Sequence, residues 1–234
     1  MTLKAGIIAA GDGLRLAKSH PSTVKPLVPV AGAPLCHWVA DSLRKSGVKE
    51  ITFLHNSRGR AVRESLQRRF PDLSWTFLEA DTASSWESFR LVCLALAAES
   101  EEFVISTVDA LVPPEETARF IGTSRACGAR AGLALTSFID DEKPLWADLN
   151  ENGLVSALGP AAQRRRHATS GLYYLTRALA LPEAAAYSSL RQFWISLVEG
   201  GTPVAGVALS KTVDVDRPED IRQAEDFLKA GASW

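Results

Sequence analysis

Between residues 9 and 25 the chain gathers the residue types that hold a polyphosphate. Ala9-Ala10-Gly11-Asp12-Gly13-Leu14-Arg15-Leu16 follows a short apolar run, and Lys25-Pro26 comes ten residues after Arg15. Glycines let a backbone approach a ligand and aim its N–H groups at phosphate oxygens, while Arg15 and Lys25 bring countercharge. Neither of the two commonest cradles is present. A dinucleotide-binding GxGxxG needs a third glycine where Leu16 stands, and a P-loop needs Gly-Lys-Ser/Thr at its own spacing. Opposite such a cradle, displacement at phosphorus wants Mg²⁺ on one or two carboxylates and on the phosphates themselves. Asp109 is placed for this, at the end of the apolar run Phe103-Val104-Ile105-Ser106-Thr107-Val108, because ligands of open α/β sheets bind beyond the carboxyl ends of strands. A second acid is offered by Val213-Asp214-Val215-Asp216-Arg217-Pro218-Glu219-Asp220. There Asp216-Arg217-Pro218-Glu219 reads as a capping box that employs Asp216, and Asp214 has no such structural use.

The elements that must position these residues alternate between strand-length apolar runs and stretches of helical period. Strands are expected over residues 4–9, 51–54, 75–78, 103–108, 131–137 and 204–209. Helices are expected from Leu35 to a Gly47 stop and over 60–69, 85–97, 188–198 and 217–229, with another opened by Pro113, Pro114, Glu115 and Glu116. A long loop is expected between the first strand and the helix that starts at Leu35. Between 140 and 175 the alternation breaks, and Asn150-Glu151-Asn152-Gly153 reads as the turn of an antiparallel hairpin. This predicts a three-layer α/β fold with a mixed β-sheet, mostly parallel with an antiparallel insertion, in one domain spanning residues 1–234. Between 79 and 88, Thr82, Ser84 and Ser85 are hydroxyls at a strand end, either of the serines able to cap the next helix.

The order strand, Ala-Ala-Gly-x-Gly-x-Arg-Leu, Lys-Pro-Leu and Val-x-Gly-x-Pro-Leu before a helix, its last part supplied by Val30-Ala31-Gly32-Ala33-Pro34-Leu35, resembles the N-terminus of the sugar-phosphate nucleotidyltransferase family. The detailed resemblance covers residues 3 to about 55, and looser landmarks extend it along the chain. It implies the Rossmann-like nucleotide-diphospho-sugar transferase fold and transfer of a nucleoside monophosphate from a triphosphate to a phosphorylated small molecule, a sugar 1-phosphate foremost. It further implies that Ala9, Ala10 and Gly11 lie against the nucleoside, Gly13 and Arg15 against the phosphates, and Lys25 at the α-phosphate. Mg²⁺ would sit on Asp109 and, by the family's Asp-Val-x-x-Pro-Glu segment, on Asp214, leaving Asp216 the less favoured ligand. Thr82, Ser84 and Ser85 would touch the base edge. Ala168-Thr169-Ser170-Gly171-Leu172-Tyr173-Tyr174 is similar to the family's Gly-Ile-Tyr segment and would bring Gly171 against the acceptor. Two departures stand out. Leu14 occupies a place where the family often has Ser or Thr, and Asp141-Glu142-Lys143-Pro144 precedes the hairpin turn that the family's Glu-Lys-Pro motif follows. Arg164, Arg165 and Arg166 offer an alternative grip on the acceptor phosphate.

A formal charge of -1 and 46% hydrophobic content lack the basic excess of nucleic-acid binders. Three scattered cysteines form no CxxC pair, which argues for a reducing, cytoplasmic setting. No apolar run resembles a signal peptide or approaches the roughly 20 residues of a membrane span. A glycosyltransferase of similar fold would be expected to carry Asp-x-Asp where this chain reads Asp109-Ala110-Leu111. Two alternatives stay open: transfer to phosphocholine or another phospho-alcohol, and a nucleotide-binding regulatory protein without turnover.

Overall fold

The computed structural model describes residues 3–16, 19–20, 22–138, 143–210 and 212–230. β1 (Lys4–Ala9) leads into the glycine loop and a 3₁₀ turn at Lys25–Leu27, and β2 (Pro29–Val30) and β3 (Ala33–Pro34) make a very small hairpin. Then come α1 (Leu35–Lys45), β4 (Glu50–His55), α2 (Arg60–Arg69), β5 (Ser74–Glu79), α3 (Ser85–Ala97), β6 (Glu102–Thr107) and β7 (Ala110–Leu111). The second half holds α4 (Pro114–Cys127), β8 (Ala131–Thr136), β9 (Trp146–Leu149), β10 (Val155–Leu158), β11 (His167–Thr176), α5 (Leu190–Glu199), β12 (Val204–Leu209), β13 (Val213–Asp214) and α6 (Pro218–Lys229).

β5, β4, β1 and β6 lie side by side in parallel. β11 then runs antiparallel to both β6 and β8, and β12 returns parallel to β8. The β9–β10 hairpin, turning at Asn150 to Gly153 as its sequence predicts, pairs with the start of β11. The sheet is therefore mixed and mostly parallel, with β11 and the hairpin as its antiparallel insertion. Among the described residues no helix is long and apolar enough to cross a membrane.

Local chemistry explains where helices begin. Ser84 Oγ accepts the Glu87 N–H at the start of α3, and Ser189 Oγ accepts the Gln192 N–H at the start of α5. Pro114 opens α4 with Glu115 and Glu116 in its first turn, and Gly128 ends it at a φ of 66°.

Apolar residues close the sheet on both faces. One face is covered by α1, α2, α4 and α6 through Leu35, Leu66, Phe120 and Phe227 among others. The other is covered by α3 and α5, whose aromatic rings meet: Trp86 stacks on Phe193 at 4.3 Å, and Trp194 stacks on Tyr173 of β11 at 5.4 Å. Trp86 also donates its indole N–H to the Glu183 carbonyl at 3.1 Å. This cluster fixes α5 against α3, and with it one wall of the site. Trp86→Ala should therefore cost about 3–5 kcal/mol in urea unfolding, whereas Leu94→Ala, at a residue 44% exposed on the same helix, should cost far less. Equal losses would show that the stacked rings do not hold this layer.

Candidate functional site

A cavity of about 480 Å³ opens where β1 and β6 end. Its lining includes Ala9, Ala10, Gly11 and Gly13 from the glycine loop, Thr82, Ser84 and Ser85 from the segment before α3, and Arg15, Lys25 and Asp109. The loop is held from below. Val108 N–H donates to the Ile8 carbonyl at 3.1 Å, the Asn56 amide donates to Ala10 at 3.3 Å, and Arg58 pairs with Asp12 at 2.5 Å.

The two loop glycines are needed for different reasons. Gly13 sits at a φ of 61°, and a Cβ there would stand 2.7 Å from Lys25 Cβ, so the turn and the lysine stem are packed as one unit. Around Gly11 no protein atom lies within 4 Å of a would-be Cβ. The fold makes no demand for a glycine at that position, whose open side belongs to the cavity lining.

Lys25 is the electrostatic centre. Its ammonium donates to Asp109 Oδ2 and to Asp216 Oδ1, each at 2.5 Å, and its side chain is only 10% exposed. Burial alone would discourage the charge on Lys25, but the two carboxylates outweigh it and its ionisation moves upward. Burial likewise pushes Asp109 up, and the ammonium of Lys25 with a hydrogen bond from Thr107 brings the net shift below the ordinary carboxylate range. Arg15 is 63% exposed and stands 3.7 Å from the other oxygen of Asp216.

The acid that meets Asp109 across Lys25 is thus Asp216, and the capping box expected from Asp216 is not formed. Pro218 takes the first helical position of α6, which makes Arg217 the cap residue, and Asp220 Oδ2 accepts the N–H groups of both Asp216 and Arg217 at 2.8 and 2.7 Å. This leaves the Asp216 carboxylate to Lys25. Read with proline as the first helical residue, the sequence carries that signal. The juxtaposition itself depends on β7 and β13, a two-residue antiparallel pair too short to show periodicity: Asp214 pairs with Ala110, and Val215 N–H donates to the Asp109 carbonyl at 3.1 Å. Asp214, exposed, lines a smaller adjoining cavity of about 70 Å³, and Arg15 and Asp216 line both spaces.

The hydroxyl candidates already have protein partners. Thr82 Oγ1 lies 2.6 Å from Ser88 Oγ, Ser84 caps α3, and Ser85 Oγ accepts the Leu190 N–H at 3.0 Å. Ser85 thereby ties the start of α5 to the cavity rim. Gly171 lines neither cavity. At a φ of 72°, inside an irregular stretch of β11, its would-be Cβ falls 2.5 Å from Thr107 Oγ1, so its glycine is required by close packing against the end of β6. Arg164, Arg165 and Arg166 are exposed and line neither cavity. Asp141 and Glu142 lie outside the described residues. Leu14, the departure noted in the glycine loop, is 70% exposed and lines the large cavity.

Comparison with known proteins identifies the family. Residues 5–188 match the MobA-like NTP transferase domain, and the chain belongs to that family. Its first 64-residue match is 41% identical to N-acetylmuramate alpha-1-phosphate uridylyltransferase of Neisseria meningitidis serogroup B, over 27% of this chain and 28% of that protein. CMP-5'-(3-aminopropyl)phosphonate synthase of Streptomyces rubellomurinus is 26% identical over 95% of this chain and 38% of its own length. The chain thus spans well under half of either curated relative. Among solved structures, the inositol-1-phosphate CTP transferase from T. maritima superposes with a TM-score of 0.82 at 20% identity, covering 100% of this chain and 98% of that one. A UDP-glucose pyrophosphorylase gives 0.77 at 13% identity, covering 98% and 99%. These superpositions establish the shared fold.

Lys25→Met leaves a largely buried Asp109 without its cation, which should cost about 3 kcal/mol or more. The depressed Asp109 carboxyl contributes stability above its ordinary value of about 3.9 and loses it as pH falls through its lower folded value. The gap between wild type and variant in thermal melts should therefore be full at pH 7 and shrink in the acid range below about pH 4. A gap that stays constant with pH would contradict this pairing.

Proposed function

We propose that this member of the MobA-like NTP transferase family transfers a nucleoside monophosphate from a nucleoside triphosphate to a phosphorylated small molecule, a sugar phosphate or similar, with release of pyrophosphate. The observation that carries this reading is the convergence of Lys25, Asp109 and Asp216 at the floor of a glycine-lined cavity. The relatives support it through their names, which include uridylyl and cytidylyl transfer to phosphorylated or phosphonate acceptors. They differ in base and acceptor, so the class of reaction comes to this chain more readily than a particular substrate.

The residues fit a divalent cation. Asp109 and Asp216 each place an oxygen 2.5 Å from one shared point, now held by the lysine ammonium. Two hard carboxylate oxygens suit Mg²⁺, which takes one or two acids and completes its shell with phosphate and water. Asp109 and Asp216 would hold it, with Asp214 beside them in the adjoining space. When bound, Mg²⁺ neutralises charge on the phosphates and on the departing pyrophosphate.

The chain's own residues supply the rest. Gly11 admits the ligand to the loop backbone, whose N–H groups meet phosphate oxygens. A triphosphate draws the Lys25 ammonium from its two acids toward the α-phosphate, and the exposed Arg15 guanidinium meets the outer phosphates. An acceptor phosphate oxygen bonds to the α-phosphorus as the bond from that phosphorus to the bridging oxygen of pyrophosphate breaks. A phosphate monoester is already nucleophilic, so no side-chain nucleophile or general base is invoked. Catalysis is alignment and charge neutralisation.

Pyrophosphate release, measured with four triphosphates against a panel of sugar phosphates and phospho-alcohols, should be found for at least one pair and should require Mg²⁺. With that pair, Asp109→Asn and Asp216→Asn should each lower kcat on the order of a hundredfold or more, and Lys25→Ala should be similarly impaired. Triphosphate binding without release for every pair would favour a regulatory nucleotide-binding protein instead.

A further inference from the structure

Between Ala9 and Lys25 the chain carries a single acid, Asp12, and it stands in the loop that is to receive phosphates. Asp12 belongs to the wall of the large cavity, with Gly11 and Gly13 on either side of it. A bare carboxylate at that position would repel a triphosphate.

Arg58 meets this charge from the turn that follows β4. Its Nη2 donates to Asp12 Oδ1 at 2.5 Å and to the Asp12 carbonyl at 3.4 Å. The turn is built as one unit. Arg58 N–H donates to Asn56 Oδ1 at 3.1 Å, and Gly59 N–H donates to the Asn56 carbonyl at 2.9 Å. Asn56 is buried and gives its amide to the Ala10 carbonyl at 3.3 Å. A Cβ on Gly59 would stand 2.6 Å from His55 Cβ, so the turn closes tightly on the end of β4. On its other flank Ser57 N–H donates to Asp81 Oδ1 at 3.0 Å, next to Thr82 on the opposite wall. One turn therefore holds both sides of the cavity.

Neither Asn56 nor Arg58 lines the large cavity, and both line a separate small recess against the same loop. A planar trans peptide points its C=O and its N–H in opposite directions. With the Ala10 and Asp12 carbonyls drawn to the recess, the N–H groups of Gly11 and Gly13 turn away from it, toward the cavity that both glycines line. The side chains of Arg58 and Asp12 are 54% and 68% exposed, and an ion pair so open to water adds little to stability. Its use lies in the site.

We propose that Arg58 is a positioning residue for the triphosphate, acting through Asp12: it cancels the carboxylate's charge and holds the Asp12 carbonyl back so that the Gly13 N–H faces the phosphates. The inference rests on the nucleotidyl-transfer reading and adds to it a residue that touches no substrate.

Titration calorimetry with Mg²⁺ and α,β-methylene triphosphates of the four bases tests this, using the analogue that the wild type binds most tightly. Arg58→Gln leaves the Asp12 charge bare. It should weaken binding on the order of tenfold at about 0.02 M salt, the effect of one unit charge beside a doubly negative magnesium triphosphate in a water-like dielectric. At about 0.5 M salt the loss should shrink to roughly threefold or less. Asp12→Asn should bind at least as tightly as the wild type, and Asp12→Asn combined with Arg58→Gln should recover most of the loss. Arg58→Lys should fall between the wild type and Arg58→Gln, because it keeps the charge and lacks the fork. Arg68→Gln, an equal loss of charge further along α2, should change little. Melting temperatures of all these variants should stay with that of the wild type. Full affinity in Arg58→Gln, an undiminished loss in the double variant, or an equal loss in Arg68→Gln would overturn the proposal. A loss that ignores salt and comes with a lowered melting temperature would mark Arg58 as structural and would overturn it too. Failure of every analogue to bind the wild type would overturn the transfer reading, and this inference with it.

Discussion

Lys25 reaches across 84 residues to Asp109 and across 191 to Asp216, and most of the site's geometry follows from that contact. Three chain segments with no local reason to meet carry these groups: the loop after β1, the end of β6 and the lead into α6. A buried ammonium without partners would shed its proton, and a buried carboxylate without one would hold its own. Satisfying one obliges the others to be present. Desolvation also means that the contact adds little net stability over an apolar substitute, while breaking it on one side is costly. Its presence at a cavity floor is better explained by chemistry than by folding.

The rest of the molecule reads as support for that contact. Parallel β1 and β6 end side by side, so the glycine loop and Asp109 face the same space. Gly13 lets the loop turn against the lysine stem, and the β7–β13 pair draws the last segment alongside Asp109. Behind them, rings from α3, α5 and β11 make a stiff layer, and Ser85 links that layer to the rim. The result is two spaces that share Arg15 and Asp216 in their walls.

Much of this was legible in the sequence. The bounds of α2 and α3 fall where apolar spacing placed them, since Val62 with Leu66, and Phe89 with Val92, Cys93 and Leu96, each share a face. The cavity residues from Ala9 to Lys25 were legible because the glycines, Arg15 and Lys25-Pro26 follow the first strand in an order that resembles a known family's N-terminus. Asp216 was misread because the acid three residues after it in the expected box, Glu219, hid the true one, Asp220, one position further on. Pro218 decides between them by taking the first helical position. The meeting of Asp109 with the lead into α6 could not be read at all, because two-residue strands carry no period and their pairing is set by the sheet around them. At Gly171 the structure adds a demand that the sequence did not show, the close packing of Thr107 against it.

The most direct test is a crystal structure with Mn²⁺ and a non-hydrolysable triphosphate, located by the metal's anomalous scattering. The account predicts the metal between Asp109 and Asp216, the triphosphate along the glycine loop, and the Lys25 ammonium moved from its two carboxylates onto phosphate oxygens. A metal bound away from that pair, with Lys25 still bridging both acids and the loop empty, would contradict it.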